Sequence, residues 1–134
     1  MNTLTGNIIE ICTEGSLSLV KIVVHHFTLS SIIIDTPEQS EYLRVGKKVK
    51  VLFKETEVIL AKEFSGKISV QNKIECRVTS FEKGTLLCKI ALYINGDTIT
   101  SIITRNAFEQ LNINENDTVI AMIKTNEISL SAHD

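Results

Sequence analysis

The sequence predicts an all-β protein of two tandem, five-stranded barrel domains, with one short helix in each. Three observations carry this. The 134-residue chain is rich in Ile, Val, Leu and Thr and holds a single proline, a composition that favours strands. Its apolar residues alternate with polar ones in short runs. It also repeats itself: a shift of 70 residues lays NTLTGNIIEI from Asn2 over NKIECRVTSF from Asn72, TLSSIII over TITSIIT, and KVKVLFKETEVIL over TVIAMIKTNEISL. In the last pair Lys54 meets Lys124, Glu57 meets Glu127 and Leu60 meets Leu130. Copy one is placed at residues 1–64 and copy two at 65–134, joined near Lys62–Ser69.

Within copy one, NIIEI, SLVKIVV, KVKVLF and EVIL show strand alternation, and in copy two KIECRV, LLCKIALYI, TVIAMI and EISL do the same. NGD at 95–97 reads as a hairpin turn between two such runs. TPEQ predicts a helix in copy one, with Thr36 at the N-cap, Pro37 at the first helical position and Gln39 at N3, ending near Leu43. NAFE predicts its counterpart in copy two, capped by Asn106 with Glu109 at N3, ending near Leu111. Five strands with a helix between the third and fourth is the layout of an OB-like barrel. A barrel of about 60 residues is marginal alone, so the chain is expected to self-associate.

Composition excludes several functions. With 14 basic and 16 acidic residues and 5% aromatics, the chain lacks the positive groove and stacking platforms of a nucleic-acid binder. No apolar run approaches the roughly 18–20 residues of a membrane span, and no signal-peptide pattern opens the sequence. Cys12, Cys76 and Cys88, an odd and scattered set, read as reduced thiols in a cytoplasmic protein. No nucleophile elbow, P-loop or zinc-protease motif is present, so no enzyme is expected. His25-His26 sits where adjacent strand residues point to opposite faces, which argues against direct metal coordination by side chains.

Small-oxyanion binding fits the residues best. Ser101 and Thr104 precede a helix start with unpaired N–H groups. Lys124 ends the next strand, with Thr125 following, and Ser69, Gln71 and Asn72 open the first strand of copy two. All can donate hydrogen bonds to an anion. Each also has an ordinary structural use in turns, caps and strands.

These residues, in this order, resemble the molbindin (Mop) family, the molybdate-binding branch of the TOBE domains. The family opening, Ser-Ala-Arg-Asn followed by a glycine, is similar to SVQNKIECRV; its centre is similar to GDTITSIITRNAFEQLNI and its end to AMIKTNEISL. Copy one resembles the family more loosely from Asn2 to Leu60, so the chain looks like a tandem di-Mop protein. The resemblance implies OB-like barrels that bind molybdate or tungstate for storage and homeostasis, in pockets between domains of a homotrimer. By position it implies Ser69, Gln71, Asn72, Lys124 and Thr125 from one domain and Thr104 from another, with Asn2, Lys54 and Thr36 as the copy-one set. Similar domains also serve as oxyanion sensors that act on a partner protein, which is the alternative role. Three departures stand out. Gln71 replaces the family arginine, Cys76 replaces the glycine that copy one keeps as Gly6, and Ile34 takes the place of Thr104 in copy one.

Overall fold

The computed structural model describes residues 1–133; residue 134, the end of copy two in the sequence reading, lies outside them. The first half holds β1 (Asn2–Glu14), β2 (Leu17–Val24), β3 (Phe27–Ile33), β4 (Lys48–Phe53) and β5 (Ile59–Ala61). The second holds β6 (Asn72–Lys83), β7 (Leu87–Ile94), β8 (Asp97–Thr104), helix α1 (Arg105–Leu111), β9 (Thr118–Ile123) and β10 (Ser129–Ala132). They form two five-stranded antiparallel sheets, ordered β10-β4-β1-β2-β3 and β5-β9-β6-β7-β8.

Each half therefore gives its last strand to the other half's sheet. β5 pairs with β9, Leu60 opposite Ala121, and β10 pairs with β4, Leu130 opposite Val51. The two exchanges are equivalent under the 70-residue shift. A short 3₁₀ turn, Glu55–Glu57 in one half and Thr125–Glu127 in the other, carries the chain across.

The first strand of each half explains the bend of each sheet. β1 and β6 alternate buried and exposed residues, then break phase at a bulge, between Ile8 and Glu10 and between Val78 and Ser80. A bulge bends the strand and raises its twist, so one long strand pairs first with β4 or β9 and then with β2 or β7. The core is aliphatic. Ile8, Ile22, Leu29, Val51 and Phe53 pack in one half, and Ile74, Ile90, Leu92, Ile99 and Ile123 in the other.

Buried polar groups close the structure along the same symmetry. Asn72 is fully buried; its Oδ1 accepts from the Ser30 N–H (2.7 Å) and its Nδ2 donates to the Ser30 carbonyl (2.9 Å). Asn2 clips Thr100 in the same two-bond manner, both at 2.8 Å. Ser31 Oγ donates to the Ile128 carbonyl (2.7 Å), and Ser101 Oγ donates to the Val58 carbonyl (2.8 Å). These hydroxyls bind the edge strands β3 and β8 to the chain just ahead of β10 and β5, across the open seam of each sheet. At the hairpin tips His25 Nε2 lies 2.6 Å from Asp97 Oδ2, and Asn95 Nδ2 lies 2.9 Å from His26 Nδ1.

Two expectations about helices are corrected. Copy one has no helix: residues 37–39 form only a turn, with the Gln39 and Ser40 N–H groups both donating to the Thr36 carbonyl. The reason is packing. In copy two Phe108 is buried edge-on against Phe81, with ring centroids 5.0 Å apart, and this anchors α1 to its sheet. The matching positions in copy one are Glu38 and Ile11, so a helix there would have no aromatic anchor. The Asp35 carboxylate and the Arg44 guanidinium hold the turn instead, by bonds to Thr36 N and the Leu43 carbonyl. In copy two the N-cap is Thr104, not Asn106. Thr104 Oγ1 accepts from the Ala107 N–H at 3.0 Å, while Glu109 takes Arg105 at 2.7 Å one turn away.

Gly6 sits where a Cβ would lie 2.7 Å from the Val23 carbonyl and 2.6 Å from Ile22 Cγ2. Its counterpart Cys76 is buried beside a cleft of about 320 Å³ that Tyr93 and Ile94 also line. Burial pushes the Cys76 thiol up to about 12, so it remains a neutral packing group. Urea denaturation should show Gly6→Ala destabilised by about 1–3 kcal/mol through overpacking, and Cys76→Ala by less. Asn72→Ala would leave the Ser30 N–H and C=O buried without partners. It should cost roughly 2–6 kcal/mol in the same assay, at about 1–3 kcal/mol per orphaned group.

Candidate oxyanion site

The connector between β5 and β6 runs back along the molecule and presents Ser69, Val70 and Gln71 just before β6 begins. Lys124 and Thr125 follow directly on β9, whose end pairs with the start of β6, Ile123 opposite Asn72. These two segments meet in a cleft of about 260 Å³, faced from the other half by Leu19 of β2 and Ile32 of β3. Of the set expected from one domain, Ser69, Gln71, Lys124 and Thr125 are thus brought together, and Asn72 is not.

Chemically the cleft is a donor set with one charge. Ser69 and Thr125 offer hydroxyls, Gln71 an amide and Lys124 an ammonium with three N–H donors. Among the described residues no carboxylate pairs with Lys124. Leu19 and Ile32 give one apolar wall, which lowers the local dielectric and strengthens any bond formed there. The volume exceeds that of one water, about 30 Å³, several-fold, so an anion and some of its hydration fit together.

The remaining candidates lie elsewhere. The Asn72 side chain is buried in its clip to Ser30, and the Asn2 side chain in its clip to Thr100. Ser101 is fully buried and its only hydroxyl proton goes to Val58. Thr36 belongs to the turn that replaces the copy-one helix. Lys54 lines a separate groove of about 200 Å³ with Glu57 and Glu127. Thr104 does not line the Lys124 cleft. It is exposed, and its oxygen caps α1 while its O–H proton stays free to donate.

The 70-residue shift exposes a difference that the sequence reading missed. Where copy two has Thr125, copy one has Glu55, whose Oε2 lies 2.6 Å from the Met1 amino nitrogen. That bond, together with the backbone and the nearby Lys89, holds the Glu55 carboxyl below its ordinary range. Lys89 itself stands where the open cleft has Leu19. Setting Glu55 against Thr125 in the aligned repeats was the available signal.

Comparison with known proteins places this arrangement. Residues 68–130 match the TOBE domain family. Over 66 residues the chain is 32% identical to molybdenum-pterin-binding protein 3 of Clostridium pasteurianum, covering 48% of this chain and 97% of that protein. Molybdenum-pterin-binding protein 2 of the same organism is 30% identical over the same length. The chain belongs to the molybdenum-pterin-binding protein family. Its fold matches that of the cytoplasmic molybdate-binding protein ModG, solved with molybdate bound, at a TM-score of 0.92 and 24% identity, over 98% of this chain and 96% of ModG. The likeness to ModG covers both sheets and establishes the OB-like tandem fold. The family's named members are binding proteins rather than enzymes. Among the described residues no helix is long and apolar enough to cross a membrane, and no cluster of His, Cys, Asp or Glu could hold a metal ion.

Proposed function

We propose that the chain binds molybdate, and tungstate equally, for storage in the cytoplasm, through the cleft formed by Ser69, Gln71, Lys124 and Thr125. The observation that carries this reading is the convergence of four donors from two segments in one cleft, in a chain whose relatives are named for molybdenum-pterin binding. A tetrahedral dianion needs many convergent donors. Hydrogen bonds to charged groups contribute about 1.5–3 kcal/mol each, so four donors give only part of a tight site.

Thr104 supplies the missing part when a second chain presents it. Its hydroxyl is free, and it pairs with Leu87 on β7 beside Leu86. Those leucines are 54% and 78% exposed, and Ile34 of copy one is 83% exposed. Apolar side chains left bare around a free donor support a contact between copies, and the homotrimer expected of tandem domains meets that need. The repeats at 1–64 and 65–134 act as the binding units in this reading.

Calorimetric titration of the full chain with molybdate, tungstate and sulfate tests it, with light scattering to give the assembly mass. Heat with both metal oxyanions is expected, and silence with both would end the proposal. Lys124→Ala should weaken molybdate binding roughly tenfold to a hundredfold, the loss of one charged donor. Gln71→Arg should tighten it, because a guanidinium adds charge and a bidentate grip that the amide lacks. An unchanged affinity would show that Gln71 faces away from the ion.

A further inference from the structure

The two halves of the chain are equivalent in topology, yet the open cleft beside Lys124 draws its donors from the second half, while Lys54 lines a groove with Glu57 and Glu127 instead. The features the halves share cannot explain this. Lys54 matches Lys124. Glu57 matches Glu127, and each of these glutamates stands three residues after its lysine. Glu57 Oε1 is already engaged by the Lys54 N–H at 3.0 Å. The explanation must lie where the halves differ.

They differ at three aligned positions. Among the residues that line the cleft, Glu55 stands for Thr125, Lys89 for Leu19 and Met1 for Gln71. The first half's place thus gains a second lysine, which suits an anion better than Leu19 does, and loses the Gln71 amide. It also gains a carboxylate. Glu55 is half-buried, with 30% of its side chain exposed, and its Oε2 already receives an ammonium at 2.6 Å. Lys89 is close enough to add to the pull on its proton. A fixed negative charge among cations satisfies them as a bound anion would, and repels a second anion within a few ångströms.

We propose that Glu55 is a resident anion: its carboxylate fills the first half's counterpart of the Lys124 cleft, so that each chain offers one oxyanion cleft of this kind and not two. This rests on the oxyanion reading of the second half. It also gives Lys89 a partner, since its charge helps to hold the Glu55 carboxyl ionised.

Equilibrium dialysis of the full chain against molybdate, with elemental analysis of bound molybdenum at saturation, tests the inference. The wild type is compared with Glu55→Thr, which restores the second half's residue, and with Glu55→Gln, which removes the charge and keeps the shape. Circular dichroism confirms that each variant is folded. The expected result is a saturation level higher by about one molybdate per chain in Glu55→Thr, with a smaller rise or a weaker added site in Glu55→Gln. A wild type that binds, beside folded variants with an unchanged saturation level, overturns the resident-anion role and leaves the Lys124 cleft intact. A wild type that takes up no molybdate overturns the oxyanion reading and this inference with it.

Discussion

Two buried asparagines hold the halves of this protein in register, and the remaining architecture depends on them. Asn2 and Asn72 each satisfy one backbone N–H and one C=O on the third strand of the opposite half. A side-chain amide carries one acceptor and two donors, so it reads a strand edge as another strand would. The burial of these amides is tolerable because they are bonded; unbonded, each would cost free energy on the scale of a lost core contact. The clips position β6 against β3 and β1 against β8. The serine bonds of Ser31 and Ser101 then seal the seams where the exchanged strands arrive. The site inherits this framework, since Ser69 and Gln71 stand immediately before Asn72, and Lys124 follows the strand paired with it.

Much of this was legible in the sequence. The repeat, the strand pattern and the family resemblance all came from the residues, because alternation and a 70-residue shift survive without coordinates. The donor group Ser69, Gln71, Lys124 and Thr125 was legible as well, and these four residues share a cleft. The exchange of β5 and β10 was not. A strand with the pattern EVIL or EISL buries the same face whichever sheet receives it, so periodicity carries no information about the partner.

Asn2, Asn72 and Ser101 have the chemistry of anion donors, and the structure uses that chemistry for backbone clips. A finer reading of phase would have separated the roles. Asn2 lies in step with Leu4 and Ile8, Asn72 with Ile74 and Val78, and Ser101 with Ile99, all of them inward positions. The copy-one helix failed for a related reason. Thr36, Pro37 and Gln39 make a sound helix start, but a seven-residue helix needs an anchor in the core more than it needs a cap. Phe108 provides that anchor in copy two, and Glu38 does not in copy one.

The exchanged strands also set a timetable for synthesis. The sheet begun by β1 to β4 lacks its β10 edge until residues 129–132 have been made, some 75 residues after Phe53 ends β4. At about 5–20 residues per second, a nascent first half would wait roughly 4–15 s with β4 unpaired along one side. Its own β5 waits for β9 through most of that interval, until residues 118–123 have been made. An unpaired edge is the surface through which β proteins aggregate. Synthesis of β10, rather than completion of the first repeat, is therefore the event that covers the β4 edge.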